Sequence, residues 1–296
     1  MSKVREPGVT LSPEAARSAS VVLAVVLVSV YIVAFFVQPL TTWPAWLRDP
    51  LRLPKDVMMQ AIGQAVRLAT GELRSHELRA GLYLFVTSGL LPWMLSAAVG
   101  RWRPGDLGFR RPSRYGWRLL AVGYVVAFPF LVWMARGAQF ADPYLSQWRR
   151  SGAVAFGVYY FAAMLVEHFL LQGVVLATCR PGRRWPAARS DESAGGRGWR
   201  RLLQWVGLAQ PIGGGGPSTR LTAWLGLAPR CLPAVLVSGL MFGLVHFGKH
   251  PRELLLSLPG GIAQAWMAYR SNTWLIPFAL HLATAATTLL LMLRPG

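Results

Sequence analysis

Long apolar runs recur along this chain, and they limit its fold more than any other feature. A helix needs about 20 mostly apolar residues to cross a bilayer. Seven stretches approach that length, at 19–37, 80–99, 117–134, 153–177, 232–247, 254–269 and 274–293. The first is too long for a signal-peptide core and no small-residue cleavage site follows it, so it reads as an uncleaved anchor. The third contains Pro129, which membrane helices tolerate. No alternating ten-residue pattern recurs, which sets a transmembrane β-barrel aside. The expected fold is an all-α polytopic membrane protein with about seven transmembrane helices.

Composition points the same way. Hydrophobic residues make up 53% of the 296 and charged residues 15%, with a mean hydropathy of +0.37. Ordinary soluble domains carry roughly 25% charged residues. A soluble chain this apolar would expose large greasy patches, and a disordered one would not be apolar at all. Cys179 and Cys231 are the only cysteines, too few for a disulfide scaffold. The charge is lopsided, with 31 Lys and Arg against 12 Asp and Glu. The arginines lie between the apolar runs, so they read as loops facing anionic headgroups, with no nucleic-acid partner. Counting Lys and Arg over alternate loops puts the N-terminus and the 179–230 loop in the cytoplasm. A bacterial inner (cytoplasmic) membrane is the expected location.

Two regions follow. Residues 1–152 hold the first helices, with an interfacial amphipathic helix at 57–73 in the first long loop. Residues 153–296 form a helical core interrupted at 179–230 by a basic, Gly-rich, flexible loop. The core contains the residues that could carry chemistry. Glu167 is the one carboxylate well inside an expected span, beside His168 and five positions before Gln172. A carboxylate in hydrocarbon costs several kcal/mol, so it faces a protein interior or a watery cavity. His246 and His281 bring imidazoles to membrane depth on two later helices. Taken singly, each of these could be a structural hydrogen-bonding group. Together they support either a base that activates water, with imidazoles polarising a carbonyl, or a divalent metal site such as zinc. No HExxH is present. Gly239 and Gly243 stand four apart, a spacing that lets another helix approach closely.

Glu167 with Gln172-Gly173, then Phe242-x-x-x-His246, then His281 on the last helix together resemble the CPBP family. That family groups CAAX-processing and bacteriocin-processing membrane proteases, with EExxxRG, FxxxH and HxxxN on successive helices. The resemblance covers about 154 to the end of the chain. It implies an intramembrane endopeptidase, glutamate-dependent or metal-dependent, that processes membrane-associated or C-terminally tagged proteins. It makes Glu167, His246 and His281 catalytic, with His168 a helper and with Phe242 and Gln172 contacting substrate. His168 stands where the family has its second Glu, Gln172 where it has Arg, and Ala285 where it has Asn. The lost Asn is an amide donor that Thr284, Gln264 or His168 would have to replace. Such a set fits a divergent protease, such as one resembling the myxosortase branch, or an inactive relative serving as a membrane scaffold or assembly factor. A proton-coupled transporter is the third reading, since intramembrane Glu and His also mark proton relays.

Overall fold

The computed structural model of the chain describes residues 102–179, 225–227, 231–246 and 249–293, with short pieces at 64, 81, 85–90 and 92–94. The expected anchor at 19–37 and the interfacial helix at 57–73 lie outside those residues, apart from residue 64, as do half of the 80–99 span and most of the 179–230 loop. The described residues are helical and contain no strand. The protein is an all-α membrane protein. Three described stretches are long and apolar enough to cross a bilayer, Arg114–Ala135, Phe140–Cys179 and Leu275–Met292. The expected count of seven is not reached among them.

Helix α1 spans Arg114–Ala135. Ser113 starts it, its hydroxyl accepting from the Gly116 amide at 3.1 Å, which satisfies one of the orphan donors of the first turn. Helix α2 spans Ala138–His168, but Gly152 adopts φ 77° inside it. That left-handed conformation suits glycine. Trp148 and Phe156, four residues to either side, meet at 5.3 Å between ring centres, and Tyr144 and Tyr160 meet at 6.0 Å. The segments 138–151 and 153–168 therefore fold back on each other as a hairpin. The sequence reading places a helix from 153 onward and none over 138–151.

After His168 the backbone widens into a π-helical stretch, Phe169–Val175, before a last α turn at Leu176–Cys179. Such stretches disturb the ordinary i→i−4 bonding. Ser238, fully buried on the next helix, donates to the Leu171 carbonyl at 2.7 Å. That helix, α3, spans Leu232–Val245. Helix α4 spans Pro251–Ser271, opened by His250, whose Nδ1 accepts from the Arg252 amide at 3.2 Å. It closes at Asn272 in the left-handed region, φ 58°. Helix α5 spans Leu275–Met292.

Glycine sets how closely α3 and α4 pack. A Cβ on Gly239 would lie 2.5 Å from the Ile262 Cα, and one on Gly261 would lie 2.6 Å from the Phe242 Cβ. Real Cβ atoms do not come that close, so the two backbones touch through these glycines. Gly239 is thus the close-approach position its spacing suggests. On the other side of α4, Gly116 of α1 meets Ile276 and the Tyr124 hydroxyl meets Thr287 at 2.7 Å. Both pairs advance together, so α1 and α5 run parallel. The main core lies where α2, α3 and α4 meet, around Leu170, Leu171, Leu176, Phe242 and Trp274.

Candidate active site

Glu167 and His168 are neighbours at the end of α2, about 100° apart around the helix. They accordingly face different partners. Glu167 points toward His246, with its Oε1 3.7 Å from the His246 Nδ1. His168 points toward α5, where its Nε2 lies 2.9 Å from the His281 Nδ1. Both Glu167 and His246 are buried, and His168 is wholly so.

The short length of α3 makes this convergence possible. Its 14 residues rise about 21 Å, well short of a bilayer core of about 30 Å. The helix stops at Val245, and His246 caps it inside the protein.

Around His168 the partners are neutral. Its Nδ1 is bonded to the Gln172 Oε1, four residues on and inside the π-helical stretch. The Gln172 Nε2 donates to the Gln264 Oε1 of α4 at 3.3 Å. That donation fixes the amide's orientation and leaves its carbonyl facing His168. The network thereby assigns the His168 proton to Nδ1, and Nε2 accepts from the His281 Nδ1–H. Four side chains from three helices form one chain of bonds.

Around His246 the partners are charged. Its Nδ1 donates to the Phe242 carbonyl at 2.9 Å. Its Nε2 lies 3.7 Å from the Glu253 Oε1. Lys249 pairs with that same oxygen at 2.8 Å, and the Tyr144 hydroxyl donates to the other, Oε2. Burial alone would push the Glu253 carboxyl up; the Lys249 ammonium and then His246 outweigh it, and the carboxyl lies below its ordinary range. Burial alone would lower Lys249; Glu253 and then Glu167 overcome it and hold the ammonium above its ordinary value. Glu253, Lys249 and Tyr144 were not among the sequence candidates. Glu253 sits one residue ahead of the expected 254–269 run, and its i,i+4 relation to Lys249 was the one available signal.

Phe242 lies among the three rings. It stacks on His246 at 4.8 Å and 25°, and its centre is 5.6 Å from His281 and 5.9 Å from His168. Both expected substrate contacts, Phe242 and Gln172, are buried and engaged with histidines. Thr284 donates back to the His281 carbonyl at 2.9 Å. His168 and Gln264 belong to the neutral chain. A zinc ion does not fit this arrangement. His168 and His281 turn their nitrogens to each other, and no three His, Cys, Asp or Glu side chains among the described residues are grouped to hold an ion.

Residues 149–287 match the family model of the type II CAAX prenyl endopeptidase Rce1-like group. This segment is Rce1-like. The match agrees with the CPBP resemblance of the motifs, and the matched family is one of membrane proteases. The Rce1-like segment contains Glu167, His168, Gln172, Phe242, His246, Glu253, Gln264 and His281. Tyr144 lies five residues before it. No curated protein and no solved structure matches the chain.

Proposed function

We propose that the chain is a glutamate-dependent intramembrane endopeptidase of the CPBP type. The observation that carries this reading is the open acceptor on Glu167. Its Oε1 is buried and accepts no hydrogen bond among the described residues, while a histidine stands 3.7 Å away. A buried carboxylate with a free lone pair is what a general base toward water requires.

In this reading Glu167 takes one proton from a water molecule as its oxygen adds to the scissile carbonyl. The carbonyl π electrons move to oxygen, while the Nε2 lone pair of His281 holds the attacking water by its second O–H. The intermediate collapses, and the C–N bond breaks as a charged His246 gives its Nε2 proton to the leaving amine; the proton on Glu167 then leaves to solvent and His246 takes one up, which restores both groups. The products are a carboxylic acid and an amine. His168, Gln172 and Gln264 hold His281 in one tautomer, and Phe242 keeps the His246 ring flat against its own. Glu167, His168, Gln172, Phe242 and His246 are buried, in a site of low dielectric where preorganised dipoles act most strongly.

The substrates are membrane-associated or C-terminally tagged proteins, and the host membrane is a bacterial inner membrane with the basic loop in the cytoplasm. Comparison of membrane-proteome termini from cells carrying wild type, Glu167→Gln or a deletion tests the proposal. Defined cleavages that disappear in both Glu167→Gln and the deletion are the expected result. Glu167→Gln matching wild type, while the deletion differs, overturns the catalytic reading and leaves a scaffold.

A further inference from the structure

We propose that Glu253 is the positioning carboxylate of His246, holding the ring from the face opposite Glu167 and itself held by Lys249 and Tyr144. The inference deepens the endopeptidase reading and rests on it for its kinetic consequence alone.

Each ring nitrogen of His246 has a carboxylate 3.7 Å away, Glu167 at Nδ1 and Glu253 at Nε2. Nδ1 already donates to the Phe242 carbonyl. Nε2 is therefore the nitrogen that gains and loses a proton, and it faces Glu253. A neutral ring would aim a lone pair at a carboxylate oxygen, which is repulsive. A ring protonated at Nε2 aims an N–H instead, and the separation can close to an ordinary charge-assisted bond. Glu253 thus favours the charged ring that must carry the proton to the leaving amine.

The plainer reading is a helix-end pair. Glu253 stands in the first turn of α4, where an acid suits the dipole, four residues after Lys249. That reading does not account for the rest of its surroundings. Its side chain is 14% exposed, and groups from three other elements converge on it. These are Tyr144 from the 138–151 segment, His246 from the end of α3 and Lys249 from the turn before α4. A helix-end acid needs none of the first two. Lys249 and Glu253 oppose each other at His246: the carboxylate draws the proton, and the ammonium withdraws part of that charge. The other titratable groups near the ring are Glu167 and His168 on α2 and His281 on α5.

The test uses the full chain in lipid nanodiscs with 15N-labelled histidine. The chain has 5 histidines, so each imidazole can be followed against pH by its ring-nitrogen shifts. In Glu253→Gln the protonation midpoint of His246 falls by about one pH unit or more. In Lys249→Met it rises, and Glu253→Asp keeps most of the wild-type value. The His168 and His281 signals stay in place in all three, which also reports that the site has folded. An unchanged His246 midpoint and tautomer in folded Glu253→Gln overturns the proposal. Should Glu253→Gln fail to fold, Lys249→Met decides, since an unmoved His246 there overturns it equally. On cleavages that depend on Glu167, Glu253→Gln moves the alkaline limb of kcat to lower pH and Lys249→Met moves it to higher pH, with KM unaltered. If no cleavage depends on Glu167, the endopeptidase reading fails while the nitrogen shifts still decide the role of Glu253.

Discussion

His168 has both ring nitrogens bonded to neutral partners, Gln172 and His281, whereas His246 has a carboxylate off each of its nitrogens. The first arrangement fixes a tautomer and a direction. The second holds mobile protons. On the charged side Lys249 offsets one of the two carboxylates, Glu167 and Glu253. The remaining negative charge lies where an ion is expensive to bury, and a proton on Glu167 or on the His246 Nε2 relieves it. A neutral chain beside it adds no charge and so leaves that balance undisturbed. The difference teaches that one half of the site is built to stay still and the other to change its protonation.

The largest break in this comparison is expected on the charged side. Glu167→Gln keeps the shape and removes the base, so the Glu167-dependent cleavages slow by about 10³-fold. The measurement is the rate of appearance of a defined new terminus. The thermal unfolding temperature stays level or rises, because a buried charge has gone. A fall in stability with unchanged cleavage would make Glu167 a structural acid.

Packing comes next, because both halves hang on Phe242. Gly261→Ala puts a Cβ where the Phe242 Cβ already stands, 2.6 Å away. Overpacking of this kind costs about 1–3 kcal/mol. It should lower the unfolding temperature and shift all three histidine ring signals together, since Phe242 touches all three rings. A shift confined to His246 would mean that the two halves are mechanically independent.

Much of this was legible in the sequence, for a physical reason. Glu167, His246 and His281 stand out because ionisable groups in apolar runs are costly, so their presence calls for partners. The expected spans 117–134 and 274–293 agree with α1 and α5 to within three residues at either end. The 138–151 segment was hidden because Asp142, Pro143, Arg149 and Arg150 break its hydropathy, and its fold-back depends on one backbone angle at Gly152. Glu253 and Lys249 were hidden because a Lys-His-Pro-Arg-Glu run has the composition of a solvated turn. The tyrosine that engages Glu253 stands 109 positions away, which no local pattern reveals.

Smaller effects separate the halves further. Gln172→Leu removes the acceptor of His168 and leaves a buried imidazole N–H unpaired. That loss is worth about 1–3 kcal/mol, and cleavage should slow roughly tenfold to a hundredfold with no movement of its pH limbs. A moved limb would show that the neutral chain also carries titration. Stability, by contrast, should follow pH through the charged side. Glu253 lies below its ordinary value of 4.5, so its contribution is present above that value and fades as pH falls through the lower folded one. Lys249 lies above 10.5, so its contribution is present below that and fades as pH rises through the higher folded one. Unfolding temperatures of wild type and the double variant Lys249→Met, Glu253→Gln should converge at the acid end and separate near neutrality.

The smallest change is at the far end of the neutral chain. Gln264 is half-buried, and its Oε1 accepts from Gln172 at 3.3 Å. Gln264→Ala leaves the Gln172 amide able to turn toward whatever polar group replaces it, so cleavage should slow only about threefold, the effect of one modest hydrogen bond. Gln264→Glu is the sharper variant. It keeps an acceptor at the same reach, so a chain that needs only the bond would be unaffected. It also places a negative charge three bonds from His281, and a chain that works by staying neutral would suffer more from it than from alanine. Glutamate slower than alanine supports the division of labour drawn above. Glutamate equal to wild type would reduce the neutral half to simple tethering, with its lack of charge incidental.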